Sequence, residues 1–397
     1  MTTLAPPVPD HAGHIPSAPP TVASAARRRW RTPWSIGIGI LTLLTAAVTT
    51  WGISSGSRSD YYASIALSMS KSWSNFFFGA FDPAGTVTLD KIPGSFWVPA
   101  LFVKLFGFSD VSIILPNALA AVASALLIAF TVKRLAGPTA GLIAGAVVAT
   151  TPILIAVSRS NQPETFFVLG LALTAWAAAR ALQRASLGWL MLAGVFVAFA
   201  FQTYMLEAWA VWPALAAAYL LTKQPMRRRI WHTAVAGAVS LALSLVWIVV
   251  VALIPASARP YIGSTLHNDP WEMVFGYNGL GRFGDSTADA SAYNSFTPPF
   301  SGSAGVFRLF NEQLAGQIAW MIPAAILAVV VLAVLRFNHA VTVFVGVWIA
   351  TFIVMFSAVA GMHQFYTAAL AVPLALAIGL GFGVARSRGV AWPQISL

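Results

Sequence analysis

Apolar residues along this chain fall in long blocks rather than in alternation. Ten blocks approach or reach the length needed to cross a hydrocarbon layer of about 30 Å: 35–53, 111–131, 139–156, 163–181, 187–205, 208–221, 233–254, 316–335, 340–360 and 366–384. They predict an all-α polytopic membrane protein of about ten transmembrane helices. A further apolar stretch, 93–107, is short, contains Pro99 and ends on Gly107, which suits a re-entrant or surface-lying helix better than a span. Just before it, Tyr62, Ile65, Ala66, Met69 and Trp73 recur at helical spacing opposite Ser64, Ser68, Lys71 and Ser72. That pattern predicts an interfacial amphipathic helix. The stretch 255–315 is polar and rich in Gly, Ser and Asn, and no internal repeat stands out.

Composition supports the membrane reading. Of 397 residues, 58% are hydrophobic and 9% charged, whereas soluble domains carry about a quarter charged residues. The net charge of +11 comes from short clusters between apolar blocks, which is a topology signal and not a nucleic-acid stripe. The absence of cysteine excludes a disulfide framework, a thiolate metal site and a cysteine nucleophile. Pro6, Pro7, Pro9, Pro16, Pro19 and Pro20 mark residues 1–26 as a disordered tail. Arg27, Arg28, Arg29 and Arg31 follow, and the first block reads as a retained span, not a cleaved signal peptide. The expected organisation is a cytoplasmic tail over 1–31, a membrane domain over 32–386 with outer loops at about 54–110 and 255–315, and a short cytoplasmic tail over 387–397.

Charge orients the blocks. With the amino terminus in the cytoplasm, strict alternation puts Lys133, Arg134, Arg180, Arg184, Lys223, Arg227 to Arg229, Arg336, Arg386 and Arg388 on the inside with the first arginine cluster, as the positive-inside rule requires. Every acid except Asp10 then falls outside. Acids contribute little to orientation, so their one-sided placement points to chemistry on the outer face of a multi-pass plasma-membrane protein whose termini are both cytoplasmic.

The candidate chemistry lies on that face. Asp60 and the pair Asp90-Lys91 bracket the first outer loop. A carboxylate there takes a proton from an acceptor hydroxyl and a lysine holds a phosphate, or else Asp60 caps its helix and Asp90-Lys91 is a solvated turn. Arg159, Asn161 and Glu164 sit where the third block ends and the fourth begins, with anchoring as the competing account. Glu207 occupies the turn between the fifth and sixth blocks, as a helix-terminus acid or a binding residue. His363 and Tyr366, in the last outer turn, are either hydrogen-bond donors to a phosphate or sugar or an aromatic-belt pair. Gly279, Gly281 and Gly284 formally match G-x-G-x-x-G, but no strand precedes them, which removes the dinucleotide reading. Arg282 and Arg308 are further candidate phosphate or carbohydrate contacts. No Walker A, H-E-x-x-H or G-x-S-x-G pattern occurs. No cofactor is indicated, and a divalent metal among the carboxylates stays open.

Ordered blocks carry a family resemblance: SDYYASIALSM, SWSNFFFGAFDPAGTVTLDKIPGSFW, LFGFSDVSIILPNALA, TPILIAVSRSNQPETFFVLGLAL, RPYIGSTLHND with FGYNGLGRF, RLFNEQLAGQIAWMIPAA and GMHQFYTAALA. In their order and spacing they resemble glycosyltransferase family 39, which holds the protein O-mannosyltransferases and the lipid A aminoarabinose transferase. The resemblance implies a GT-C fold that takes a sugar from a polyprenyl-phosphate carrier at the outer leaflet and passes it to a lipid, glycan or protein hydroxyl. It also implies that the family's acidic residue after the first span falls on Asp60, its acidic-Lys pair on Asp90-Lys91, and its fourth-span acid on Glu164. Three positions depart from the family pattern: Ile92 in DKIP, Gln162 in NQPE and Gln364 in HQFY. The expected mechanism is a single inverting displacement, with Asp60 as base and Lys91 and Arg159, aided by His363 or Tyr366, stabilising the departing phosphate. The alternatives are a transporter or flippase of a lipid-linked solute and an inactive scaffolding member. A transporter would place its ionisable groups near the bilayer midplane in repeated halves.

Overall fold

The computed structural model describes residues 1–2, 33–55, 58–283 and 301–397. The expected tail beyond Thr2, the arginines at 27–31, Gly284, Asp285 and Asp289 lie outside the described residues. Helices dominate, because in hydrocarbon a peptide group must find its hydrogen bond within its own helix. α1 (Pro33–Thr50) runs into a 3₁₀ turn, Ile53–Ser55. α2 (Asp60–Lys71) and α3 (Trp73–Phe78) divide the expected amphipathic helix at Ser72, whose extended backbone stops one helix while its hydroxyl caps the next by accepting from Asn75 N. The buried face includes Ile65, Ala66 and Met69 as expected, but Ser68 is buried too and donates to Asp82 O, while Trp73 is exposed. α4 (Gly94–Phe106) is the short apolar segment, about 20 Å long.

The remaining helices are α5 (Asp110–Ala136), α6 (Pro138–Thr150), α7 (Pro152–Ser158), α8 (Glu164–Arg184), α9 (Leu187–Tyr204), α10 (Trp212–Tyr219), α11 (Met226–Leu253), α12 (Ile322–Val334), α13 (His339–Ala358), α14 (Ala371–Ser387) and α15 (Trp392–Ser396). Among the described residues, seven helical elements are long and apolar enough to cross a membrane, or eight if α6 and α7, bent by 61°, make one broken span. That corrects the count of ten. Pro152, which has no N–H to continue the ladder, starts α7 at the bend. Blocks 187–205 and 208–221 join in one 33-residue element, Leu187–Tyr219, and block 316–335 yields only the shorter helix Ala319–Val334. Met205, at φ 58°, interrupts the longer element, and a 3₁₀ segment, Met205–Val211, follows it. Gln224 Nε2 then donates to Ala185 O, so the chain has folded back by the time it leaves α10.

Burial ranks the helices. The most apolar window of the last spanning element, Gln364–Ser387, is 94% buried, that of the first only 11%. α14 is therefore the centre of the bundle and α1 a peripheral helix facing lipid. Small residues permit the close packing: a Cβ on Gly379 or Gly383 would sit 2.6 Å from Ala144 or Ala140 Cβ, the small-residue contact typical of helices packed in membranes. The two long loops are joined as well. Thr88 N donates to Tyr261 O at 2.8 Å, Tyr261 N to Thr86 O at 2.9 Å, and Gly263 N to Thr88 Oγ1 at 2.9 Å. This stitching roofs one end of the bundle.

Candidate active site

Under that roof lies a cavity of about 300 Å³. Three breaks in regular structure build it: the loop leading to α4, the junction of α7 and α8, and the turn at Met205. Asp90 and Lys91 close the first. Lys91 Nζ lies 2.8 Å from Asp90 Oδ1 and 3.2 Å from Tyr62 Oη, and Tyr61 Oη donates to the same Asp90 oxygen at 3.2 Å. Burial alone would push the Asp90 carboxyl up, but the adjacent ammonium and its hydrogen bond outweigh it and hold the group below the usual carboxylate range. Lys91, whose charge burial likewise disfavours, is held well above its ordinary value by Asp90 and the two tyrosines. Both groups are thus charged at neutral pH. Asn278 Nδ2 fixes the backbone of this pair by donating to Asp90 O at 2.7 Å.

Glu164 is the first residue of α8 and is 3% exposed. Its Oε1 accepts from Tyr204 Oη at 2.6 Å, while Oε2 is buried without a partner among the described residues. The backbone turn at Met205 brings Glu207 to the same cavity, where its Oε1 is also buried and unpartnered. Arg282 enters from the second outer loop. It is 7% exposed, its guanidinium stands over the Tyr277 ring at 4.8 Å, and its Nη1 has no hydrogen-bond partner among the described residues. Native structures rarely leave such groups unsatisfied, and Glu164, Glu207 and Arg282 all line this one cavity, which describes a space for a polar ligand. His363 and Tyr366 complete the wall. Burial, reinforced by the positive charges of Arg282 and Lys91, pushes His363 down to about 4, so at neutral pH its ring is an uncharged hydrogen-bonding group and not a cation.

A second hollow of about 400 Å³ adjoins the first and shares Glu207, Asn278, Arg282 and Tyr366 with it. The rest of its lining is apolar, including Leu206, Phe275, Met355, Phe356 and Val359. The polar cavity and the apolar groove meet at Arg282.

Other expected residues lie elsewhere. Asp60 begins α2 between two cavity-lining residues, Ser59 and Tyr61, but its own side chain is 88% exposed and bonded to Arg58, which also reaches Asp110 at 2.7 Å. Arg159 Nη2 donates to Trp51 O at 2.7 Å, tying α7 to the end of α1. Asn161 clasps Ser59 through two bonds, accepting from its N at 2.8 Å and donating to its O at 2.9 Å. Its carbonyl-side neighbours are held in turn: Asn117 Nδ2 donates to Ser160 O and Gln162 O, both at 2.8 Å. Arg308 is 4% exposed and points at the carbonyls of Ser301, Phe356, Val359 and Ala360, closing the end of α13. Of the departures, Gln162 lines the cavity, Ile92 is fully buried in the core, and Gln364 accepts from Gln313 Nε2. Sequence reasoning missed Tyr61, Tyr62, Tyr204 and Asn278. The first two directly follow Asp60, and Tyr204 shares its short polar turn with Glu207, so proximity to singled-out acids was the available signal. Among the described residues, no group of three or more His, Cys, Asp or Glu side chains is arranged to hold a metal ion.

Comparison with known proteins agrees with this architecture. Residues 90–254 match the family described as dolichyl-phosphate-mannose-protein mannosyltransferase. Two candidate mannosyltransferases of Bacillus subtilis (strain 168), YkcB and YycA, are each 30% identical, over 81% and 86% of this chain. The chain spans 58% of the length of YkcB and 63% of YycA. Among solved structures, ArnT from Cupriavidus metallidurans bound to undecaprenyl phosphate superposes with a TM-score of 0.65 at 17% identity, covering 91% of this chain and 62% of ArnT. The Archaeoglobus fulgidus oligosaccharyltransferase gives a TM-score of 0.57 at 12% identity over 92% of this chain and 51% of its own. The chain is an all-α, multi-pass membrane protein with a GT-C-like fold similar to that of these solved structures.

Proposed function

We propose that this protein is a membrane glycosyltransferase that takes a sugar from a polyprenyl-phosphate donor and transfers it to a hydroxyl of a cell-envelope acceptor. The observation that carries the reading is the junction at Arg282, where a polar cavity large enough for one sugar ring meets an apolar groove. An amphipathic donor needs that arrangement: the groove takes the first isoprene units, the phosphate stops at the junction, and the sugar enters the cavity. Lys91 and Arg282 meet the phosphate. Two unit charges about 4 Å apart at an effective dielectric near 20 interact by roughly 4 kcal/mol, so two cations offset the cost of bringing a phosphate out of water. Glu164 Oε2 and Glu207 Oε1, without partners in the described residues, accept hydrogen bonds from sugar hydroxyls. His363 and Tyr366 contribute as uncharged partners.

Transfer is then a single displacement. The acceptor oxygen bonds to the anomeric carbon as the bond from that carbon to the phosphate oxygen breaks, the electron pair leaving with the phosphate. Asp60, exposed next to the cavity-lining Ser59 and Tyr61 and held among the described residues by Arg58, takes the proton of the hydroxyl that arrives from outside. Arg282 fills the phosphate role expected of Arg159, whose guanidinium is engaged at Trp51. Asn161 acts on Ser59 and so on the position of Asp60.

The extracytoplasmic orientation of the site has its own support. α8 starts at Glu164 in the cavity and ends at Arg184 about 30 Å away. At that far end Arg134 Nε bonds Gln183, and Gln224, next to Arg227 to Arg229, reaches Ala185. Such a cationic end belongs in the cytoplasm. The test of donor binding is native mass spectrometry of the purified protein with undecaprenyl phosphate. Wild type retains the lipid, and Arg282→Gln loses most of it. Equal retention by the variant overturns the assignment of the junction.

A further inference from the structure

The second outer loop returns to the bundle through Ser301 to Arg308, and the tip of this returning segment is an unusual one. Val306 and Phe307 are each 80% exposed. That equals the exposure of apolar side chains at the ends of helices that face lipid, such as Leu253 at 78% and Val334 at 71%. No charged residue occurs from Ser301 to Phe307. The next residue, Arg308, turns inward and spends its guanidinium on backbone carbonyls at the end of α13. The tip is also fixed in height: Gly305 N donates to Ser357 O at 2.9 Å, which fastens the loop to the last turn of α13. One turn below, Val354 is 66% exposed on the outside of that same helix. The loop needs Gly302 for its bend, where φ is +81°.

We propose that Val306 and Phe307 form a wedge that inserts into the lipid leaflet on the cavity's side of the bilayer. The occupant is lipid because the tip continues the lipid-facing surface of a membrane-spanning helix, and because the cation nearest to it is withdrawn into the protein while the apolar pair is offered outward. Anchors of this type sit at the boundary of headgroup and hydrocarbon, where an apolar side chain is removed from water at no cost in unpaired polar groups. The wedge is attached to the turn of α13 that walls the apolar groove through Phe356 and Val359. It therefore holds the groove's rim against the leaflet. This inference is independent of which donor the groove receives.

The chain contains no cysteine, so single nitroxide labels can be attached without background. Phe307→Cys, Val306→Cys, Val354→Cys as the lipid reference and Glu312→Cys as the aqueous reference are each labelled in the full chain and reconstituted in nanodiscs of phosphatidylcholine and phosphatidylglycerol. Collision rates with oxygen and with a water-soluble nickel chelate are then compared. The wedge predicts that labels at 306 and 307 share the oxygen-favoured ratio of 354, opposite to 312. A nickel-favoured ratio at both positions overturns it. So does protection from both reagents, which would mean that protein covers the tip.

Discussion

Two acid and cation pairs of the first outer loop, Arg58 with Asp60 and Lys91 with Asp90, are built differently. In the first, Asp60 is 88% exposed and Arg58 33% exposed, with a contact of 3.0 Å. In the second, Asp90 and Lys91 are 20% and 10% exposed, at 2.8 Å, with Tyr61, Tyr62 and Asn278 fixing both partners. An exposed pair contributes about 0–1 kcal/mol, so Asp60 can exchange Arg58 for a substrate hydroxyl at little cost. A buried pair cannot exchange so cheaply, because separating it strands a charge. The contrast suits the roles proposed for them: a base that must release and accept a proton belongs in the exposed pair, and a phosphate anchor belongs in the enclosed pair.

Substitutions in the two pairs should therefore fail in different ways. The largest effect is expected from Asp60→Asn, a loss of about 10²- to 10⁴-fold in transfer rate with an unchanged melting temperature in detergent. If Asp60→Asn retains full rate, the base is elsewhere in the cavity. Lys91→Met should do the reverse to the fold, leaving Asp90 buried and unpaired at a cost of about 3–5 kcal/mol. Chemical denaturation would register this, and a variant as stable as wild type would mean that the pair is not enclosed. Asn161→Ala removes both bonds to Ser59 and should cost about 1–3 kcal/mol. If Asn161 acts only by holding the start of α2, its kcat falls while the affinity for undecaprenyl phosphate is kept, an outcome that direct contact with the phosphate would not allow.

Much of this site was legible because charges are rare in such a chain. Asp90, Lys91 and Glu164 stand out against apolar neighbours whatever the fold. The roles of Arg159 and Asn161 were not legible, since their partners, Trp51 and Ser59, lie more than a hundred residues away in sequence. Glu207 and Arg282 could be named but not ranked, because their approach depends on the backbone turn at Met205 and on the stitching of Thr88 to Tyr261. The span count failed for a related reason. Hydropathy registers length and apolarity, but not the 61° bend before Pro152 or the late helix start that leaves Ala319–Val334 shorter than a span.

The smallest effects sharpen the comparison. Arg58→Gln should change stability by less than about 1 kcal/mol, read by chemical denaturation, and a larger loss would mean that the exposed pair is not freely exchanged. His363 gives a sign that can be checked. Its folded-state value of about 4 lies below the unfolded value of about 6.5. Between those pH values the unfolded chain binds the additional proton, so stability falls as pH drops through that window. His363→Gln should flatten this part of the melting profile, and an unaltered slope would show that His363 is not held neutral by its surroundings.

The central claim is that the cavity and groove serve sugar transfer from a polyprenyl-phosphate donor. The most direct measurement uses purified protein in liposomes with candidate donors carrying a radiolabelled sugar, together with cell-envelope acceptors, and follows both the sugar and the lipid. The account predicts release of polyprenyl phosphate with the label appearing on an acceptor, abolished by Asp60→Asn. Movement of the intact donor between leaflets, with the bond from sugar to phosphate unbroken, would contradict it and identify a transporter.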